Sequence, residues 1–121
     1  MLKAWQEYWD DLADVLARNF LKNKVEWSDH ALKQMAMRCI SKSSTQFVVE
    51  RNVPDEMYAA KKYPQGPKPF SNPDPVFSIT GQDVTGRWIT VAVAIQKHYQ
   101  KLHFTVVTVL EPSENSRHRK N

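Results

Sequence analysis

His30, Gln34 and Arg38 stand four residues apart in the run His30-Ala31-Leu32-Lys33-Gln34-Met35-Ala36-Met37-Arg38. On a helix each such step advances about 40°, so the three side chains form a slanting polar row. An imidazole gains and loses its proton close to neutral pH and suits general acid or base work. A guanidinium offers a planar fork for a phosphate and stabilises charge that builds up in a pentavalent transition state. The ends of the row lie about 12 Å apart along the axis, a gap that long side chains leaning over a cleft can close. A histidine near a helix start also serves as a surface or capping group, so the row alone leaves both readings open.

A second set of polar groups falls in the last apolar stretch of the chain. Strict alternation puts Phe104, Val106, Thr108 and Leu110 on one face of a strand and His103, Thr105, Val107 and Val109 on the other. Thr108 then sits in core-like company, where its hydroxyl either donates to a phosphate oxygen or simply belongs to a good β former. His103 and Thr105 offer the same chemistry from the opposite face. Lys97, His98 and Lys101 cluster at the turn before this strand, as a solvated basic patch or as a contact for RNA. No zincin His-Glu motif, Gly-rich phosphate loop or Cys-x-x-Cys pair is present. No bound metal or organic cofactor is expected. The lone Cys39 forms no internal disulfide or Cys-based zinc site, and on a Leu32/Met35/Ala36/Cys39 stripe it reads as core.

These groups need elements to hold them. Trp5, Tyr8, Trp9, Leu12, Leu16 and Phe20 recur at helical spacing opposite Glu7, Asp10, Asp11, Asp14 and Arg18, which predicts an amphipathic helix over 2–21. A turn through Asn23 leads to Ser28, an N-cap for a second helix that runs to about residue 39, with Asp29 placed against the helix dipole. Ser41 caps a third helix, which ends at Asn52-Val53-Pro54 because a residue before proline is driven out of the helical region. Glu56 to Lys62 is an edge strand or an irregular stretch. Residues 64–75 hold five prolines and form a loop. From there the period becomes two. Strands are expected at Val76–Thr80, Arg87–Ile95 and Lys101–Leu110, joined by turns at 81–86 and 96–100 into an antiparallel meander. The fold class is therefore α+β, N-terminal helices packed on a small twisted antiparallel sheet. It makes one domain over 1–112, its N-terminal helix within 1–22, with a polar tail at 113–121.

The chain has 121 residues, 41% hydrophobic and 25% charged, the size and balance of one globular domain. Its net charge of +4 suits nucleic acid or an acidic protein partner. No apolar run approaches the roughly 18 residues of a membrane span, and the N-terminus lacks the apolar core of a signal peptide. One cysteine in this length points to a reducing cytosol.

The run His30-Ala-Leu-x-x-Met-x-x-Arg38-x-Ile-Ser41, a strand opening at Gly86-Arg87 and the close Val107-Thr108-Val109-Leu110-Glu111-Pro112 resemble a prokaryotic domain-of-unknown-function family. That family is related to the BrnT and RelE toxins. Its wider setting is the barnase–EndoU–colicin–RelE group of ribonuclease folds, which includes toxin domains of contact-dependent growth inhibition. The resemblance covers roughly residues 27 to 112. It implies a metal-independent endoribonuclease toxin in which the RNA 2′-hydroxyl attacks its own phosphate. His30 would be the acid or base, Arg38 would clamp the phosphate, and Thr108 would match the hydroxyl of a last-strand Thr-x-Tyr pattern. Gln34, Arg87, Lys97, His98, His103 and Thr105 are candidate substrate contacts. The expected partners are RNA and a cognate acidic immunity protein or antitoxin. The expected place of action is the cytoplasm of the producing or the target bacterial cell, with delivery as the C-terminal part of a secreted effector as one route. The sequence departs from the pattern at Leu110, which replaces the Tyr, at Gln34, which replaces a basic residue, at Cys39, which replaces Gly, and in a longer proline loop. The competing reading is a non-enzymatic interaction module, an immunity protein or adaptor, that uses helix one and the proline loop as its surface.

Overall fold

A two-residue strand that no periodicity announces sets the edge of the sheet. The computed structural model describes residues 9–99 and 101–112, so the helical pattern at Trp5 and Tyr8 and the tail at 113–121 lie outside the described residues. Within them the order is α1 (Trp9–Leu21), β1 (Glu26–Trp27), α2 (Asp29–Arg38), α3 (Lys42–Arg51), β2 (Glu56–Tyr58), β3 (Val76–Gln82), β4 (Trp88–His98) and β5 (Lys101–Leu110). The strands form one open, twisted sheet in the order β1-β5-β4-β3-β2. The fold is α+β, as expected.

From β2 to β5 every pairing is antiparallel, but β1 runs parallel to β5, with Glu26 opposite Thr105 and Trp27 opposite Val106. The expected all-antiparallel sheet is therefore corrected to a mixed one. Two residues carry no period, and only the return of β5 gives them a partner. The strands also outrun their expected ends: β3 reaches Gln82, and β4 reaches His98, directly opposite Lys101. Asp83 shapes the turn that follows β3, its Oδ1 accepting from the Thr85 N–H, the Thr85 hydroxyl and the Arg87 N–H. Gly86 takes the positive φ of 88° there.

On β5 strict alternation fails. Val106 pairs with Val93 and Thr108 with Ala92, which leaves Val107 as the extra residue of a β-bulge. Phe104, Val106 and Val109 consequently share the apolar face of Val91, Val93 and Ile95. Thr108 moves to the opposite face, with Ala92 and Ala94, so its expected grouping with Phe104 and Val106 is corrected. One inserted residue reverses the orientation of everything beyond it.

The first face carries the helices. Trp9 and Leu16 of α1 are buried there, and the Trp9 ring meets Phe77 with centroids 5.3 Å apart. Val48 and Val49 of α3 join them. The second face is lined by small residues, Ser78, Thr80, Thr90, Ala92, Ala94 and Thr108, all buried. The proline loop covers part of that face through Tyr63, whose ring meets Tyr58 edge-on at 5.3 Å.

Helix α2 docks differently from its apparent stripe. Ala31 and Met35 are buried, whereas Leu32, Ala36 and Cys39 are exposed. The reason lies at the sheet edge. β1 is so short that β5 would present bare amides beyond it, and the Gln34 carboxamide oxygen accepts from the Val109 N–H at 2.9 Å. The helix is turned to bring Gln34 to that amide, and Leu32 rotates outward. Cys39, expected in the core, instead ends the helix in the left-handed region at φ 54°. Its N–H donates to the Ala36 carbonyl and the next N–H, of Ile40, to the Met35 carbonyl.

Candidate functional site

Ser28 fixes the start of α2 against the bulge. Its hydroxyl accepts from the Ala31 N–H at 3.0 Å and donates to the Val107 carbonyl at 3.2 Å, while its own N–H donates to the Val106 carbonyl at 2.9 Å. The N-cap thus lies beside the bulged residue and next to Thr108. Between this corner and the proline loop opens a cleft of about 390 Å³. Its walls are Ser28 and His30 from α2 and its cap, Val107 and Thr108 from β5, and a stretch of the loop from Tyr63 to Pro73 that includes Lys68 and Asn72.

His30 is half-buried on the cleft wall. Thr108 is 1% exposed, and its hydroxyl has no hydrogen-bond partner among the described residues. Other buried hydroxyls on the same face are satisfied: those of Thr80 and Thr90 bond each other at 2.8 Å. An unpaired buried hydroxyl is costly, so Thr108 marks a place where stability has not been maximised. Tyr63 packs beside it. Burial pushes the Tyr63 phenol above its ordinary pKa; the Thr108 hydroxyl, close by but outside hydrogen-bond geometry, acts weakly in the opposite direction, and the charge of Glu56 adds to the rise.

The other candidate residues fall elsewhere. Arg38, two turns further along α2, does not line the cleft; its Nη1 is buried without a hydrogen-bond partner among the described residues, and its charge helps to hold the Glu111 carboxyl down. Gln34 is committed to the β5 edge. Arg87 clamps the C-terminus of α2: Nη1 donates to the Cys39 carbonyl at 3.1 Å and Nη2 to the Arg38 carbonyl, while Nε donates to Glu111 at 3.0 Å. Lys97, His98 and His103 occupy the outer end of the β4–β5 hairpin, exposed, with the two imidazole rings 6.2 Å apart. At about 3.3 Å per residue this end lies roughly 17 Å from Thr108 along β5. Thr105 sits between the two regions, opposite Ala94 and half-buried.

The structure therefore brings together His30 and Thr108 among the expected residues and adds Ser28, Tyr63, Lys68 and Asn72. Sequence reasoning passed over Tyr63 because a loop tyrosine carries no periodic signal of the face it will cover. Among the described residues no helix is long and apolar enough to cross a membrane, and no group of three or more His, Cys, Asp or Glu could hold a metal ion. The family described as "Domain of unknown function (DUF4258)" matches residues 27–111, a span that starts at β1 and ends just past β5. Neither a curated protein nor a solved structure matches the chain significantly.

Proposed function

The chain belongs to the DUF4258 family, and from that premise we propose that it is a metal-independent endoribonuclease of the kind found among BrnT and RelE toxins, acting in the His30 cleft. One observation carries the reading: an imidazole and an unpaired buried hydroxyl face one cleft at the start of a helix. The N-terminal end of α2 favours an anion, so a phosphodiester is the natural occupant. With the phosphate there, His30 takes the proton of the RNA 2′-hydroxyl, whose oxygen forms the new bond to phosphorus as the bond to the 5′-oxygen breaks and that oxygen takes up a proton to leave as a hydroxyl. Thr108 donates to a non-bridging oxygen as its charge grows. Arg38 acts from outside the cleft through its field rather than as a direct fork.

The exposed Lys97, His98, Lys101 and His103 then serve the flanking RNA, or an acidic immunity protein or antitoxin that covers the cleft. Such a toxin acts in a bacterial cytoplasm, of the cell that makes it or of one it enters. The interaction-module reading calls for an apolar patch on α1, but Trp9 and Leu16 point into the core and Leu12, Ala13, Val15 and Phe20 pack against it. Regulated expression of wild type beside His30→Ala tests the proposal. Growth arrest with discrete RNA fragments in wild type alone is expected. Intact RNA and normal growth at full soluble expression would overturn it.

A further inference from the structure

We infer that Tyr63 is a second hydroxyl of the site, a catalytic donor that joins Thr108 on the phosphate; this rests on the ribonuclease reading above. The bulge turns Thr108 to the second face, and there Tyr63, brought by the proline loop, packs on Ala92 and Ala94 and lines the same cleft as Thr108. A phenol and the Thr108 hydroxyl thus line one cleft.

The ring is held in place. The Tyr63 carbonyl accepts from the Phe70 N–H at 2.8 Å, which closes the loop on itself. The Asn72 carbonyl accepts from the Lys61 N–H at 2.7 Å and ties the two loop stems. Tyr58 supports the ring edge-on, and only 7% of Tyr63 is exposed. A donor fixed this way needs little reorganisation when charge develops on the phosphate. Burial and the Glu56 carboxylate favour the protonated phenol, so the group keeps its O–H through the neutral range and beyond. In the transesterification it can also return a proton to the departing 5′-oxygen while His30 removes the one from the 2′-hydroxyl. The phenolate left behind then recovers its proton from the imidazolium or from water.

The test compares wild type, Tyr63→Phe and His30→Ala in cleavage of a short single-stranded RNA, with thermal melting of each. Tyr63→Phe should lower kcat about a hundredfold, the usual loss for one donor of this type, with KM nearly unchanged and melting within a few degrees of wild type. Wild-type kcat in Tyr63→Phe would overturn the inference and leave the ribonuclease reading standing. A wild-type protein that cleaves no RNA would overturn the ribonuclease reading, and binding of inorganic phosphate then decides the role of Tyr63. Weaker binding in Tyr63→Phe than in wild type supports the phenol as an anion donor. Equal binding, or none in either, overturns it.

Discussion

The two faces of the sheet share strands and differ in almost everything else. On the helical face Ile79, Ile89, Val91, Val93, Phe104, Val106 and Val109 are large, apolar and buried under α1 and α3. On the loop face the same strands present Ser78, Thr80, Thr90, Ala92, Ala94 and Thr108, equally buried but small and in part polar. A helix packs into a surface of large side chains, whereas small residues leave shallow ground on which the Tyr63 ring of the loop can settle. The first face holds the domain together. The second leaves a cleft and an unpaired hydroxyl, the sort of imperfection a binding site requires.

That contrast is broken most severely from the helical side. Ile79→Ala removes a fully buried side chain and should cost roughly 2–5 kcal/mol by chemical denaturation, because the close-packed neighbours collapse only in part. A loss under about 1 kcal/mol would mean this face is not the main core. Next comes the seam where α2 meets β5. Gln34→Ala strands the Val109 N–H at an open edge and should cost about 1–3 kcal/mol, with faster amide exchange at Val109.

On the loop face the sign reverses. Thr108→Val deletes a buried hydroxyl that has no partner among the described residues and should raise stability by about 1 kcal/mol while lowering the proposed cleavage. Destabilisation there would show that the hydroxyl is paired in solution. Cys39→Gly relieves a side chain held at positive φ and should gain about 1 kcal/mol, read as a rise in Tm.

The smallest effect is electrostatic. The hydrogen bond from Arg87 lowers the Glu111 carboxyl, opposed by burial and aided by the charges of Arg87 and Arg38. Burial would raise the Asp83 carboxyl, but bonds from Thr85, Arg87 and Ser44 bring it below its ordinary value. Both groups bind protons less readily folded than unfolded. The stability they contribute is complete above the ordinary carboxylate range and fades as pH falls through the depressed values. Tm should therefore decline from about pH 5 downward, and less steeply in Arg87→Gln.

Several features of this architecture could be read directly from residue types. Ser28 and Ser41 cap the helices they precede, since short hydroxyl side chains satisfy the free amides of a first turn wherever the helix lies. Val and Thr enrichment marked β3 to β5, and the clustered prolines marked the loop. The candidate site was legible only in part, as His30 and Thr108. Nothing local reveals that Arg87 would close the end of α2 or that Gln34 would serve a strand edge, because both contacts join segments far apart in the chain.

What the sequence by itself determined is the three helices with their caps and the approximate course of β3 to β5, because caps, prolines and periodicity act over a few residues; β1 and the true ends of the strands came only with pairing. Only the tertiary structure decided which faces those elements show each other. The bulge at Val107 arises from pairing with β4 and sends Thr108 to the loop side. The open edge of β5 turns α2 and brings His30 to the cleft, and the loop lays Tyr63 beside Thr108. Such choices depend on hydrogen bonds and contacts between distant residues, which exist only once the chain has closed on itself.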